Sequence, residues 1–118
     1  MKSVKFTTND GLHYIEFVLN KKSDMFRVQI SGSALTRDIH LGLCKDERKK
    51  IHEFLWDEQI KDTLELPGVK CLCVFYIERR TGRLTIKLSS GPHDGCLVLV
   101  NCYQLSIKES DIVRDLFW

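Results

Sequence analysis

The sequence predicts an α+β fold: a curved antiparallel sheet of about six to seven strands around one main helix, with a short C-terminal helix. Three observations predict it. Apolar and polar residues alternate with the period of a strand up to position 43 and again from position 83 to 89, between two long apolar runs, 70–77 and 96–105, that also read as strands. Apolar residues at helical spacing concentrate in one stretch after position 45. Strand and helix patterns do not alternate along the chain, which argues against a parallel βαβ plan.

The stretch Lys70 to Ile77 anchors this reading. Seven of its eight residues are apolar, and it contains neither Gly nor Pro. Alternation puts Cys71, Cys73, Phe75 and Ile77 on one face and Leu72, Val74 and Tyr76 on the other. Both faces call for cover, as expected of a central strand.

Taken in order, Ser3 to Thr7 is a short strand, and Thr8-Asn9-Asp10-Gly11 is a tight reversal. Leu12 to Leu19 and Met25 to Ser31 are the next strands, joined by the polar turn Asn20 to Asp24. Phe26, Val28 and Ile30 point inward on the latter, Arg27 and Gln29 outward. Gly32-Ser33 breaks it, and Arg37 to Leu43 completes an antiparallel meander. Asp46 to about Gln59 is the main helix, with Ile51, Phe54 and Leu55 on its apolar face and Asp46 and Glu47 at its positive end. Trp56, Ile60 and Leu64 follow at steps of four, so the helix is expected to run on or restart until Leu66-Pro67-Gly68.

After the central strand, Arg79-Arg80-Thr81-Gly82 reverses the chain, and Arg83 to Ser89 returns with Leu84, Ile86 and Leu88 inward. Ser90 to Gly95 is a loop. Cys96 to Leu105 is a further strand, expected beside the central one. Glu109 to Trp118 forms the last helix, with Ile112, Leu116 and Val113 or Phe117 apolar and Ser106 with Glu109 as a capping box.

A chain of 118 residues is one domain, 1–118, large enough to bury a core without metal or disulfides. Its net charge of +2 does not mark a general nucleic-acid or membrane binder, so a charged partner must meet a local patch. The N-terminal residues lack the apolar run of a signal peptide, which points to the cytoplasm. The five cysteines read as reduced thiols. Were the face of Cys71 and Cys73 to meet that of Cys96 and Cys102, four thiols would share a layer. No C-x-x-C turn accompanies them, so packing is preferred over zinc.

No metalloprotease motif, nucleophile elbow or phosphate loop is present. His93-Asp94 is the one pair worth weighing for acid–base work, and a hydrated turn explains it as well. No enzyme activity and no cofactor are expected. Two charged stretches remain. Glu53, Asp57, Glu58, Asp62 and Glu65 surround Trp56, and on a continuous helix they would make repulsive pairs. They form either a solvated face or a landing surface for a basic partner. Arg79, Arg80, Arg83 and Lys87 form a basic hairpin with only Tyr76 near it for stacking. Such charges also keep sheet edges from pairing.

The meander from Phe6 to Leu43, the Lys/Glu-rich helix Asp46 to Leu55 and the hairpin around Thr81-Gly82-Arg83-Leu84 together resemble small immunity proteins of bacterial polymorphic-toxin and contact-dependent inhibition systems. The resemblance implies a non-enzymatic inhibitor that blocks the active site of a cognate toxin, a basic nuclease domain for instance, in the cytoplasm. Glu53, Trp56, Asp57, Glu58, Asp62 and Glu65 would form its partner-binding face. The alternatives are a phage-encoded inhibitor of a host defence enzyme and a small nucleic-acid-binding module built on the 79–87 hairpin. On this reading the partner is a protein, nucleic acid is not expected to bind, and no membrane is involved.

Overall fold

The computed structural model describes residues 1–32, 35–56, 62–68, 71–90 and 100–117. Within them the chain forms β1 (Lys2–Thr7), β2 (Tyr14–Asn20), β3 (Met25–Ser31), β4 (Thr36–Gly42), α1 (Lys45–Trp56), β5 (Thr63–Gly68), β6 (Cys71–Glu78), β7 (Arg83–Ser90), β8 (Val100–Gln104) and α2 (Ile107–Leu116). The strands build two antiparallel four-stranded sheets, β1-β2-β3-β4 and β5-β6-β7-β8. This corrects the expected single curved sheet around one main helix.

The correction turns on β5. Trp56, Ile60 and Leu64 suggested a helix running on, but Leu64 and Leu66 also alternate, and in the structure Leu66 faces the core while Glu65 and Pro67 are exposed. Pairing with β6, Leu64 opposite Phe75 and Leu66 opposite Cys73, decides for the strand. Pro67 is tolerated because β5 is an edge strand, where a missing N–H costs no ladder bond. With β5 in place the second half of the chain completes its own sheet. Each sheet then has one apolar face, and both faces contribute to one buried cluster.

The meander β1 to β4 follows its alternation: Ile15, Phe17, Leu19, Phe26, Val28, Ile30, Ile39 and Leu41 are all buried. The second sheet adds Cys73, Phe75, Ile77, Leu84, Ile86 and Leu88. β6 lies between β5 and β7, whereas β8 pairs with β7 rather than with the central strand as expected. α1 buries Ile51, Phe54 and Leu55. α2 begins with the expected capping box, the Glu109 N–H donating to Ser106 Oγ at 3.2 Å and the Ser106 N–H to Glu109 Oε1 at 2.8 Å. Its buried side is Val113, Leu116 and Phe117, while Ile112 is 45% exposed, contrary to the expected apolar face. Residues 113, 116 and 117 share the helix stripe that meets the sheets, and 112 is turned away from it. Trp118 lies outside the described residues.

Polar side chains lock the layers together. Asn101, 8% exposed, donates from Nδ2 to the carbonyls of Ile30 at 3.0 Å and Leu35 at 3.1 Å, joining β8 to the first sheet. Ser110 is fully buried; its Oγ accepts from the Leu84 N–H at 2.9 Å and donates to the Ser106 carbonyl at 2.7 Å. That serves β7 where its pairing with β8 has ended. Gly68 sits where β5 meets β4: a Cβ there would lie 2.5 Å from Cys71 Sγ and 2.6 Å from the Leu41 side chain. Any larger residue there would have to push both side chains aside.

The described thiols do not all share a layer. Cys73 is buried on the inner face of β6, whereas Cys102 is exposed on β8 opposite Lys87 of β7. Cys44 is also exposed, and Cys96 lies outside the described residues. Burial pushes the Cys73 thiol well above the ordinary range, with the neighbouring Cys71 adding to the effect. Iodoacetamide is therefore expected to modify Cys44 and Cys102 in the native protein and Cys73 only after denaturation. Mass spectrometry of timed digests checks this; equal labelling of Cys73 would contradict its placement. Among the described residues, no helix is long and apolar enough to cross a membrane.

Candidate functional site

Each sheet has an outer face, and the two differ in how their charges are paired. On the first, Lys5, Glu16, Gln29 and Asp38 form one row across the strands, beside Val18, Arg27 and His40. Arg27 is held by Asp38 at 3.0 Å and Glu16 at 3.4 Å. The hydrogen bond to Asp38 raises its pKa further, so this face is internally neutralised. Lys5 Nζ lies 4.3 Å from the Tyr14 ring, whose hydroxyl donates to Gln29 Oε1 at 2.9 Å.

The outer face of the second sheet is arranged differently. Register aligns Thr63, Tyr76, Thr85 and Gln104 in one row, and Glu65, Val74, Lys87 and Cys102 in the next. Leu72 and Ser89 extend the surface. Lys87 Nζ stands 4.8 Å from the centroid of the partly exposed Tyr76 ring. An aromatic ring, a lysine above it and a rim of hydroxyl and amide groups thus share the outer face of the second sheet, where Tyr76, Thr85, Lys87 and Ser89 are half-buried and Val74 is buried.

The β6–β7 turn bounds this face. The N–H groups of Thr81 and Gly82 donate to the Glu78 carbonyl at 3.2 and 2.7 Å, and Gly82 takes a positive φ of 76°. That left-handed step is why glycine ends the turn. The basic hairpin read from sequence is only partly available here. Arg79 turns toward Asp62, at 3.4 Å, and stacks over Phe54 at 5.5 Å. Arg83 donates from Nε to the Leu105 carbonyl at 3.2 Å. Arg80 is exposed at the tip, and Lys87 lies on the sheet face.

The acidic stretch is divided between two elements. Glu53 is exposed on α1, and Trp56, 48% exposed, is the last residue of that helix. Asp62 precedes β5 and faces Arg79, and Glu65 is exposed on β5 within the second sheet's outer face. Asp57 and Glu58 lie outside the described residues, as does the His93-Asp94 pair. Asp62 and Glu65 therefore do not continue the helix face of Glu53.

The residue that sequence reasoning missed is Arg114, 8% exposed. It donates from Nε to the Leu55 carbonyl at 3.0 Å, from Nη1 to Asp111 Oδ1 at 2.8 Å, and from Nη2 to the Gly82 carbonyl. One guanidinium thus ties the end of α1, helix α2 and the basic turn together. Nothing in the spacing of apolar residues signals it.

The chain is an α+β protein in which a four-stranded meander and a helix are followed by a second four-stranded meander and a second helix. No protein-family model and no curated protein matches it. Solved structures do share the fold. MRP1/MRP2 of trypanosoma bruciei is 10% identical with a TM-score of 0.65, over 98% of this chain and 79% of that one. A guide-RNA-binding protein complex bound to a gRNA is 11% identical with a TM-score of 0.67, over 98% and 85%. WHY3 from Arabidopsis thaliana is 12% identical with a TM-score of 0.57, over 99% and 84%. At these identities the likeness is one of fold.

Proposed function

We propose that this chain is a nucleic-acid-binding module that holds single-stranded RNA on the outer face of β5 to β8, acting by binding rather than catalysis. The observation that carries the proposal is the Lys87–Tyr76 pair on the outer face of the second sheet. Bases stack on an aromatic ring whatever their identity, and a base that displaces Lys87 from the Tyr76 ring leaves the ammonium to meet the phosphate. Thr85, Ser89 and Gln104 supply hydroxyl and amide groups around it. The guide-RNA-binding complex of the same fold supports RNA as the ligand. Nucleic acid is thus the preferred partner, in place of the protein expected from sequence.

The test is fluorescence anisotropy of labelled single-stranded RNA, with single-stranded DNA and duplex RNA as controls. Salt-dependent binding of the single strands is expected. In Y76A/K87E, the loss of one stacking contact at ~1–3 kcal/mol and one phosphate contact weakens it by at least about tenfold. No binding by the native protein at low salt, or an unchanged affinity in the variant, would remove the second sheet as the site.

A second reading, the immunity-type inhibitor, is favoured by Trp56, which is half exposed beside Glu53. It requires that W56A abolish co-purification of a basic toxin from the native host.

A further inference from the structure

Tyr76 is flanked on the outer face of the second sheet by one charge of each sign. It lies opposite Thr63 on β5 and Thr85 on β7, and two residues further along those strands stand Glu65 and Lys87. Both are diagonal neighbours of the ring, one on each side, at the ~7–8 Å spacing that aromatic and long side chains bridge. On the β7 side the bridge is made, with Lys87 Nζ 4.8 Å from the ring centroid. On the β5 side Glu65 holds the equivalent position.

Glu65 is exposed, and it takes part in none of the ion pairs among the described residues. Val74 stands between Glu65 and Lys87 in their shared row, so the strands that carry them lie about 10 Å apart. Pro67 already blunts the β5 edge, so protection against edge pairing does not account for a carboxylate beside the ring.

A carboxylate accepts hydrogen bonds and donates none. Base edges differ in what they offer it. Guanine presents an N1–H beside its N2 amino group, and cytosine and adenine carry one amino group each. Uracil presents two carbonyl oxygens, which a carboxylate repels. We infer that Glu65 selects the base held on Tyr76, accepting one with amino-group donors on its Watson–Crick edge, guanine foremost, and rejecting uracil. The inference rests on the RNA-binding reading of this face. A base that displaces Lys87 from the ring lies between the two charges, with its phosphate toward Lys87 and its Watson–Crick edge toward Glu65.

The test is fluorescence anisotropy with an oligouridine RNA decamer and with the same strand carrying one central guanine, cytosine or adenine. The readout is each affinity relative to oligouridine, because removing a negative charge strengthens binding to every strand alike. The native protein is expected to bind the guanine strand at least about fivefold more tightly than oligouridine, the low end for one well-paired base. The cytosine and adenine strands should fall between. Glu65→Gln keeps the size of the side chain and adds a donor that uracil carbonyls accept, so the guanine preference is expected to shrink to about twofold or less. Glu65 is exposed on an edge strand, so circular dichroism of the variant should match the native protein. Equal binding of all the decamers by the native protein, or a guanine preference that persists in Glu65→Gln, would overturn the selection and leave the sheet face as an RNA site. Binding of none of them at low salt would overturn both.

Discussion

Phe117→Ala is expected to lower the unfolding free energy by about 3–5 kcal/mol, the usual loss for a buried phenylalanine truncated in a core. The ring lies 5.3 Å from Phe26 on β3 and 6.3 Å from Phe75 on β6, edge-on to both. It therefore touches the apolar faces of both sheets at once. Removing it leaves a void between layers that backbone pairing within each sheet cannot close. Urea denaturation followed by circular dichroism measures the loss. Phe117→Leu keeps most of the volume and is expected to cost less than half as much. A deficit under about 1 kcal/mol for the alanine variant would mean that the ring is not the contact between the sheets.

Arg114→Ala comes next, with an expected loss of about 2–4 kcal/mol. The guanidinium serves the Leu55 and Gly82 carbonyls from a position 8% exposed, and hydrogen bonds from a charged donor are worth ~1.5–3 kcal/mol each. The Asp111 contact adds little, because that carboxylate is 65% exposed. Arg114→Lys retains the charge without the planar fork, so it reaches one carbonyl and recovers part of the stability. The variant also has a functional consequence. Freed from Arg114, the Arg79–Gly82 turn loses its anchor to α1 and α2, and amide exchange there should accelerate beyond the global change. Exchange that speeds up uniformly would show that Arg114 stabilises the core but does not position the hairpin.

The sequence carried the local structure well where one signal dominated. Phe26, Val28 and Ile30 alternate with Arg27 and Gln29 without interruption, and β3 spans Met25–Ser31 as the pattern predicts. Ser106 and Glu109 mark the start of α2 because a capping box is a contact within a few residues. Between Trp56 and Gly68 two periods competed. Steps of four and steps of two both fitted, and the choice fell to β6, which supplies a hydrogen-bonding edge that no local pattern reveals. The same stretch carried the acidic residues, so an error in the element became an error in their surface: Asp62 and Glu65 left the helix face that Glu53 occupies.

The candidate sites were legible only in part. Lys87 and Tyr76 were both visible as residue types, but it is antiparallel register that brings the β7 lysine over the β6 ring. Arg79 and Arg83 looked equivalent to Lys87 in the hairpin until their partners, Asp62 and the Leu105 carbonyl, drew them aside.

By itself, then, the chain determined which residues turn inward, where most elements begin, and that one half is a meander. Those properties follow from periodicity and from contacts a few residues apart. The tertiary structure alone decided that there are two sheets rather than one, and which charges stand free to meet a ligand. Strand pairing and buried polar contacts join positions far apart in sequence, as Arg114 does with Leu55 and Asn101 with Ile30. Each has its free energy set by burial and geometry that exist only once the chain has folded.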